Sequence, residues 1–267
     1  MKVLTRIIRV IGEVIFPATC PVCRSFISPS SDVTEKVGYM GRLTLSAPVP
    51  HRMASFVCPA CAERFKTVTS PICKCCGAVF GSPEGEDHLC ETCILSKRHF
   101  RTARAFGVYD GTLMTLIHQF KYQGKTRLAA PLGKMLLGTY RNGFHKKKID
   151  LIIPVPLHAR RFRQRGFNQA YLLVRGWHRR YPPVPAIEKD VLFRKRWTEP
   201  QTGLGKRERI RNIKKAFTAE RTAKIEGKNI LLIDDVYTTG ATVGECAQTL
   251  LKAGAKQVDV LTLARAQ

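Results

Sequence analysis

The sequence predicts an α/β protein in which a mainly parallel sheet, covered by helices, follows a small cysteine-rich module. Three observations lead to this prediction. Nine of the ten cysteines lie before residue 94. From residue 103 onward, short apolar runs alternate with segments of helical spacing, the pattern of parallel strands joined by helices. With 267 residues, of which 44% are apolar, the chain is long enough to bury a sizeable core.

The chain begins with the apolar segment MKVLTRIIRVIGEVIF, which Arg6, Arg9 and Glu13 interrupt. No stretch reaches the roughly 18 uncharged apolar residues of a membrane span, and we expect no secretory signal. Apolar residues recur here at helical spacing and predict an amphipathic helix. The helix docks on the protein's own surface in one interpretation and on a membrane or partner in the other. We expect a cytoplasmic protein, with a peripheral position at the inner membrane as the alternative.

Eight cysteines form four pairs with the spacing Cys-x-x-Cys, namely Cys20, Cys23, Cys58, Cys61, Cys73, Cys76, Cys90 and Cys93. A two-residue spacer lets both sulfurs of a pair reach one ion, so four pairs predict two four-thiolate Zn²⁺ sites. Without a secretory signal we expect a reducing compartment, where paired thiols are more often metal ligands than disulfides. Pairs that are neighbours in sequence are expected to share an ion, and an interleaved arrangement is the alternative. The zinc is structural, and the fold of residues 1–96 is expected to depend on it.

The second predicted domain, residues 97–267, supplies the strands and helices of the sheet. We expect strands at RAFGVYD, DLIIPVP, DVLFRKR, residues 230–233 and QVDVLTLA. Helices are expected near residues 113–120 and 128–140, within LHARRFRQRGFNQAYLLVRGW, and at residues 241–253. This alternation is typical of a sheet that is buried on both faces.

The string NILLIDDVYTTGAT predicts a ligand site at the end of one strand. Its apolar run is β-branched and does not alternate, and Asp234 and Asp235 follow at the carboxyl end, where open α/β sheets bind ligands. The next turn offers hydroxyls, backbone amides and a helix N-terminus to a monophosphate through Thr238, Thr239, Gly240, Ala241 and Thr242. The carboxylates can accept hydrogen bonds from vicinal hydroxyls or hold them through a hydrated Mg²⁺ ion. A ribose 5-phosphate satisfies both halves of this site.

Two basic stretches accompany this site. PLHARRFRQRGFNQA follows a strand and places Arg160, Arg161, Arg163 and Arg165 where a pyrophosphate or nucleic-acid phosphates would arrive, although a solvated helix start is the alternative. RKRWTEPQTGLGKRERIRN is interrupted by glycines and predicts a mobile flap over the ligand or a strand-binding loop in which Trp197 stacks on a base. The candidate residues of this flexible loop are Arg196, Trp197, Thr198, Gln201, Arg209 and Asn212.

The positive charge is concentrated in the second domain. Residues 97–267 carry 35 Lys and Arg against 12 Asp and Glu, a net charge of +23 out of +25 for the whole chain. A solvated basic surface is the simpler explanation, but an asymmetry of this size favours a polyanionic partner, with nucleic acid as the first candidate.

Several of these motifs together resemble the ComF proteins, also called GntX. They are FKYQGK, PVPLHARRFRQRGFNQA, TEPQTGL, RERIRN and LLIDDVYTTGAT, behind a start of cysteine knuckles. The last motif also resembles the 5-phosphoribosyl-1-pyrophosphate (PRPP) signature of the type I phosphoribosyltransferases. The resemblance implies a phosphoribosyltransferase-like parallel sheet with helices on both faces, an N-terminal double zinc ribbon, and a role in DNA uptake during natural transformation. By position, Asp234 and Asp235 would bind ribose hydroxyls, whereas Arg161, Arg165, Asn168 and Gln169 would form the pyrophosphate side.

Two functions are expected from these residues, and they are compatible with each other. The first is a DNA-handling protein of natural transformation that binds single-stranded DNA and PRPP-like ligands, with a DNA-uptake helicase or recombination proteins as partners. The alternative is an active phosphoribosyltransferase, in which Mg²⁺-bound PRPP transfers ribose 5-phosphate to an unknown nitrogenous acceptor. A zinc-dependent scaffold with a decayed ligand site is the least favoured class, because the site string is intact.

Overall fold

The computed structural model of the chain describes residues 19–27, 56–82, 84–144, 146–198 and 205–267. Contacts divide the chain into two compact units, Met1–Phe65 and Lys66–Gln267. The predicted N-terminal helix and Gln201 lie outside the described residues. The division after residue 96 was inferred from composition and stays a prediction.

The described part of the first unit contains one short helix, α1 (Pro59–Glu63), which begins directly after Cys58. Pro59 occupies the first turn of this helix, where a missing N–H costs nothing. Cys61 and Ala62 are its buried residues.

The second unit is built around five parallel strands in the spatial order β1-β7-β6-β2-β3. Their bounds are β1 (Ala103–Val108), β2 (Leu151–Pro154), β3 (Ala186–Ile187), β6 (Asn229–Tyr237) and β7 (Gln257–Arg265). Two further strands, β4 (Leu192–Arg194) and β5 (Phe217–Ala219), form a separate antiparallel pair. The segment DVLFRKR is therefore a strand, as predicted, but it lies outside the main sheet.

The first described helix of the second unit precedes β1, and the other helices lie between strands. In chain order, these helices are α2 (Glu91–Leu95), α3 (Gly111–Tyr122), α4 (Ala129–Phe144), α5 (Ala159–Arg165), α6 (Gln169–Val174), α7 (Trp177–Arg180), α8 (Lys206–Ile213) and α9 (Ala241–Lys252). Helix α8 occupies part of the stretch for which the sequence predicts a flexible loop. Its arginine, lysine and glutamate residues have good helix propensity, and the glycines that suggested a loop precede it.

Strand β6 lies at the centre of the sheet and is buried on both faces, as predicted. Ile230 and Leu232 point to one face and pack with Val243 and Leu250 of α9 in one hydrophobic cluster. Leu231 on the opposite face is equally inaccessible, with 0% exposure. Because successive strand residues point to opposite faces, both faces of the sheet are covered, which confirms the α/β prediction.

The second group of cysteines belongs to the core of the sheet unit. Cys73 and Cys76 are buried in the same cluster as Ala103 and Val260. The backbone N–H of Ala103 donates to the carbonyl oxygen of Cys75 at 2.7 Å, at the start of β1. This group is therefore continuous with the packing of the sheet.

Candidate functional site

The carboxyl end of β6 carries the acidic pair that the sequence singled out. Strand β6 extends to Tyr237, so Asp234 and Asp235 lie in the last part of the strand rather than in the loop that follows it. Both residues are buried, with exposures of 8% and 3%. The N–H of Asp235 donates to Oδ1 of Asp234 at 2.9 Å, which fixes the orientation of the first carboxyl group.

A lysine from another element pairs with the second carboxylate. Nζ of Lys121 lies 2.8 Å from Oδ1 of Asp235, and the two side chains are 16% and 4% exposed. Lys121 is in the last turn of α3, where the partial negative charge of a helix C-terminus favours a cation. Oδ2 of Asp235 is buried and has no hydrogen-bond partner among the described residues. Lys121 belongs to the motif FKYQGK, and no local pattern in the sequence assigns it a role.

The buried environment shifts the pKa values of Asp234 and Lys121. Burial raises the pKa of Asp234 to about 7, and the neighbouring Asp235 adds to the effect against the opposing charge of Lys121. Burial alone would lower the pKa of Lys121, but Asp235 raises it above its ordinary value. The lysine is therefore an ammonium at neutral pH, and Asp234 is poised to gain or lose a proton there.

The threonine- and glycine-rich turn follows directly and leads into α9. Gly240 has a φ of +77°, a left-handed conformation that disfavours any residue with a side chain. A Cβ at this position would lie 2.5 Å from Cζ of Tyr237 and collide with its hydroxyl group. The hydroxyl of Thr239 accepts a hydrogen bond from the N–H of Ala241 at 3.3 Å. The turn can therefore bring backbone close to an anion at the start of a twelve-residue helix.

These groups line one cleft of about 1030 Å³. Its walls bring the acidic pair and most of the turn together with arginines from three other segments: Arg161, Arg165, Arg194 and Arg209. Of the predicted turn residues, the cleft is lined by Thr238, Gly240, Ala241 and Thr242. Groups that could bind an anion and carboxylates that could accept bonds from hydroxyls thus face a common space.

The predicted pyrophosphate residues take two different places. Arg165 donates to Oε1 of Gln169 at 2.7 Å and lies over the ring of Tyr122, 5.3 Å from its centroid. Asn168 donates to the carbonyl oxygen of Val155 at 3.1 Å and caps α6, so its side chain holds the loop in shape. Arg161 and Gln169 line the cleft together with Arg165, whereas Arg160 and Asn168 do not.

Trp197 lies in a cluster of basic side chains. The guanidinium carbons of Arg160 and Arg161 are 4.9 and 5.7 Å from its ring centroid, and His158 contacts it edge-on at 5.2 Å. A cation over an aromatic face is attractive, and the same face can stack on a nucleobase. Together these residues form a basic and aromatic surface that we call the Trp197 cluster.

The other loop residues are fixed within the chain. Arg196 donates to the carbonyl oxygens of Asn212 and Lys214, each at 2.7 Å, and so fastens the loop to the end of α8. Thr198 is buried and accepts a hydrogen bond from Arg194. Arg209 of α8 lines the cleft. Arg194, the first residue of the stretch RKRWTEPQTGLGKRERIRN, also lines the cleft.

The eight paired cysteines form two groups, as neighbours in sequence. Cys20, Cys23, Cys58 and Cys61 make one group, and Cys73, Cys76, Cys90 and Cys93 make the other. Within each group all four sulfurs lie within 4.8 Å of one another. Tetrahedral zinc with bonds of about 2.3 Å separates its sulfurs by roughly 3.8 Å. The observed separations of 3.5 Å for Cys23 and Cys58 and 3.7 Å for Cys76 and Cys90 fit that ion.

Backbone amides complete the second group. The N–H groups of Cys76 and Cys90 each donate to Sγ of Cys73 at 3.4 Å. Burial raises the pKa of the Cys73 thiol, but these N–H groups outweigh it and bring the value down to about 6. Sγ of Cys73 is thus prepared to be a thiolate, the form that binds metal, whereas burial raises the pKa values of Cys76 and Cys93 as long as no metal is bound. Both groups could hold a zinc ion, and the interleaved pairing is excluded.

Several known proteins are similar to this chain in sequence. Residues 133–267 match the phosphoribosyl transferase domain. The chain is 34% identical to the DNA utilization protein YhgH of Escherichia coli O6:H1 over 217 residues, which cover 78% of this chain and 90% of YhgH. It is 30% identical to competence protein F of Haemophilus influenzae over 220 residues, covering 81% and 93% of the two chains. The chain belongs to the ComF family. Competence protein ComFC of Bacillus subtilis is 28% identical over 217 residues, or 78% and 84% of the two chains.

As a ComF-family protein, the chain combines a phosphoribosyl transferase domain with two four-cysteine groups. No helix in the described ranges is long and apolar enough to cross a membrane.

Proposed function

We propose that this ComF-family protein handles single-stranded DNA during DNA uptake and binds PRPP, or another ribose 5-phosphate ligand, in the cleft at the end of β6. The observation that carries the proposal is the cleft itself. Its lining combines a buried acidic pair and most of the turn at residues 238–242 with four arginines.

The ribose 5-phosphate half of the ligand fits the end of β6. The 5-phosphate is bound by the turn at residues 238–242, where backbone amides, threonine hydroxyls and the helix N-terminus of α9 supply donors. The ribose hydroxyls donate to Asp234 and Asp235. Oδ2 of Asp235 is buried without a hydrogen-bond donor among the described residues, and a ribose hydroxyl would supply one.

The pyrophosphate half of PRPP lies toward Arg161 and Arg165. Guanidinium groups bind phosphate oxygens through two parallel hydrogen bonds, and Arg165 is oriented for this by Gln169. Mg²⁺ is expected to accompany PRPP, because proteins usually bind this ion together with the phosphate oxygens of a ligand.

DNA binding is supported by the charge and by the relatives. The second predicted domain carries a net charge of +23, and the Trp197 cluster combines guanidinium groups with an aromatic face beside the cleft residue Arg161. Relatives over most of the chain are named for DNA utilization and competence. We therefore expect single-stranded DNA as a ligand, and a DNA-uptake helicase or recombination proteins as partners, in the cytoplasm or at the inner membrane.

A second candidate function is phosphoribosyl transfer, which the intact acidic pair favours. The C1–O bond of PRPP breaks with its electron pair leaving on pyrophosphate, the lone pair of an acceptor nitrogen forms the new bond to C1, and that nitrogen loses a proton. Negative charge from Asp234 and Asp235 would stabilise the positive character that develops on the ribose. No described residue identifies the acceptor.

Paired titrations of two ligands test the proposed function. PRPP with Mg²⁺ and a fluorescent single strand are each titrated against the zinc-loaded parent protein, Thr239→Ala and Asp235→Asn. Both variants should bind PRPP more weakly; Thr239→Ala should leave DNA affinity unchanged, and Asp235→Asn should increase it slightly, because a negative charge near phosphates is removed. A parent protein that binds neither PRPP nor ribose 5-phosphate would refute the ligand half of the proposal. Release of pyrophosphate without an added acceptor or with candidate amines tests the transferase alternative.

A further inference from the structure

We propose that the ammonium of Lys121 is the built-in cation of the acidic pair, so that the ribose 5-phosphate end of a ligand binds without Mg²⁺. The part of this inference that concerns the ligand rests on the proposed function. The part that concerns the cation rests only on the geometry of Lys121 and Asp235.

Lys121 places an ammonium group directly against the second carboxylate of the pair. Its Nζ atom is 2.8 Å from Oδ1 of Asp235, and both side chains are largely withdrawn from water. It also lines the cleft, so the ion pair forms part of the ligand-binding wall. An ion pair in such a setting is held in place because breaking it would leave a buried charge without a partner.

The charges around the pair show why a cation is needed there. Two adjacent buried carboxylates repel each other, and proteins relieve that repulsion with a bound proton, a metal ion or a basic side chain. Here α3 supplies the basic side chain from 114 residues earlier in the chain, and Arg165 and Arg194 add positive charge on other walls of the same cleft. A divalent ion near Asp235 would be repelled by the ammonium that already contacts it.

The remaining acceptor atoms suit hydroxyl groups better than a metal ion. Oδ1 of Asp234 is used by the N–H of Asp235, and Oδ1 of Asp235 is used by Lys121. Oδ2 of Asp235 stays buried without a partner among the described residues. One ribose hydroxyl can satisfy this oxygen with a single hydrogen bond, whereas Mg²⁺ demands six ligands in near-octahedral geometry. We therefore assign Mg²⁺, when PRPP binds, to the pyrophosphate end alone.

The cation assignment is tested without any sugar ligand. Mn²⁺, a spectroscopic substitute for Mg²⁺, is titrated into the zinc-loaded, full-length protein and its free fraction is measured by electron paramagnetic resonance. Lys121→Met should create one Mn²⁺ site that is about tenfold or more tighter than any site of the parent. Lys121→Arg should behave like the parent. The matched control is Lys125→Met, which removes a lysine that bonds to Gln119 and not to the acidic pair.

If Lys121→Met folds poorly, the Mn²⁺ titration of the parent and its ribose 5-phosphate binding with and without Mg²⁺ still test the assignment, and a double variant serves as the control for the site itself. Lys121→Met with Asp235→Asn removes both partners of the ion pair, and it should fold without gaining the Mn²⁺ site. If the parent binds Mn²⁺ at the pair as tightly as Lys121→Met, or if the single variant folds and gains no site, the assignment is wrong.

Ribose 5-phosphate, which lacks pyrophosphate, tests the consequence for the ligand. The parent should bind it with the same affinity in Mg²⁺-free buffer and in millimolar Mg²⁺, whereas Lys121→Met should require Mg²⁺. Binding by the parent only in Mg²⁺ would overturn the inference. If the parent binds neither ribose 5-phosphate nor PRPP in either buffer, the ligand half of the proposed function fails, and the Mn²⁺ titration still decides the role of Lys121.

Discussion

The guanidinium of Arg265 donates to the carbonyl oxygen of Cys76 at 2.7 Å and lies over the ring of Tyr237, 4.4 Å from its centroid. Arg265 ends β7, and Tyr237 ends β6 with its hydroxyl group against Gly240. The second cysteine group, the ends of two central strands and the turn that begins at Thr238 are therefore in continuous contact. Loss of order in the second cysteine group is therefore expected to disturb the turn, and the reverse.

This contact predicts different consequences for zinc loss at the two cysteine groups. Cys93→Ser removes a ligand from the group whose Cys73 and Cys76 are packed in the core of the sheet. We expect a loss of about 3 kcal/mol or more in the free energy of unfolding of the sheet unit, together with weaker ribose 5-phosphate binding. The measurements are zinc content and thermal unfolding.

The matched control for the zinc prediction is Cys23→Ser. Cys23 is exposed and belongs to the group in the first unit. This variant should also lose one zinc ion per chain, but the unfolding midpoint of the sheet should fall much less. Equal destabilisation by both variants would contradict the prediction.

Gly240 predicts a sharp contrast between two glycines of one segment. Gly240→Ala forces a side chain into a left-handed conformation and against Tyr237, and should cost about 1–3 kcal/mol and weaken phosphate binding. Gly244→Ala lies in α9, where a Cβ meets nothing within 4 Å, and should stabilise the protein by about 0.5–1 kcal/mol. Chemical denaturation and ribose 5-phosphate titration of both variants test this contrast. Similar behaviour of the two alanines would contradict it.

The raised pKa of Asp234 predicts that this residue lowers stability at neutral and higher pH. Its pKa is about 7 in the folded protein against an ordinary 3.8, so the folded state binds the proton more tightly than the unfolded state. The resulting stabilisation is complete below pH 3.8 and is lost as the pH rises through 7. Asp234→Asn keeps the oxygen that accepts from the N–H of Asp235 and removes the charge.

Asp234→Asn should therefore be more stable than the parent at pH 8, on the order of 2 kcal/mol, and the difference should shrink toward pH 5. Denaturant unfolding at both pH values measures it. The same variant should bind ribose 5-phosphate more weakly. A variant that is less stable than the parent at pH 8 would show that burial of the charge is not the dominant cost.

The sequence predicted those features of the site whose sequence signals lie within a few consecutive residues. The string around Asp234 predicted the buried strand, the turn and α9, because strand, turn and helix signals follow one another within a few residues. The pairing of cysteines by order was confirmed for the same reason. Lys121 received no role, because its distance of 2.8 Å from Asp235 is set by tertiary packing across 114 residues.

Two further differences have physical causes. The segment DVLFRKR reads as a strand of the main sheet, but its partner is the three-residue β5, too short to give a sequence signal of its own. Asn168 and Gln169 belong to a motif that implies ligand contacts, and their side chains bond to Val155 and Arg165 within the protein. A motif identifies residues that matter to a site without saying which of them contact the ligand.

The pKa of Asp234 also predicts the pH dependence of ligand binding. An ionised carboxylate accepts hydrogen bonds from ribose hydroxyls more strongly than a protonated one, so the affinity for ribose 5-phosphate should rise as the pH passes from 6 to 8. The phosphate of the ligand itself titrates at about pH 6. Asp234→Asn lacks the titrating carboxyl group, so the pH dependence of its affinity reports the ligand phosphate alone. Above pH 6.5 its affinity should therefore change less with pH than the affinity of the parent. Parallel profiles would remove Asp234 from ribose recognition.

The Trp197 cluster predicts separable effects of charge and stacking on single-stranded DNA. Each neutralised phosphate contributes roughly 0.7 to the slope of log affinity against log salt for single strands. Arg161→Ala should reduce that slope by about this amount, and Arg161→Ala with Arg165→Ala by about twice as much. Trp197→Ala should leave the slope nearly unchanged and weaken binding at every salt concentration by about 1–3 kcal/mol, because base stacking does not release counterions.

The control for the DNA prediction is Arg175→Ala, which replaces an exposed arginine that does not line the cleft. It should change neither the salt slope nor the affinity. Fluorescence anisotropy of a labelled oligonucleotide over a series of salt concentrations measures both. A parent slope near zero would leave the net charge of +23 without a role in DNA binding, and a Trp197→Ala effect that vanishes at high salt would assign Trp197 to holding Arg160 and Arg161 in place instead of to stacking.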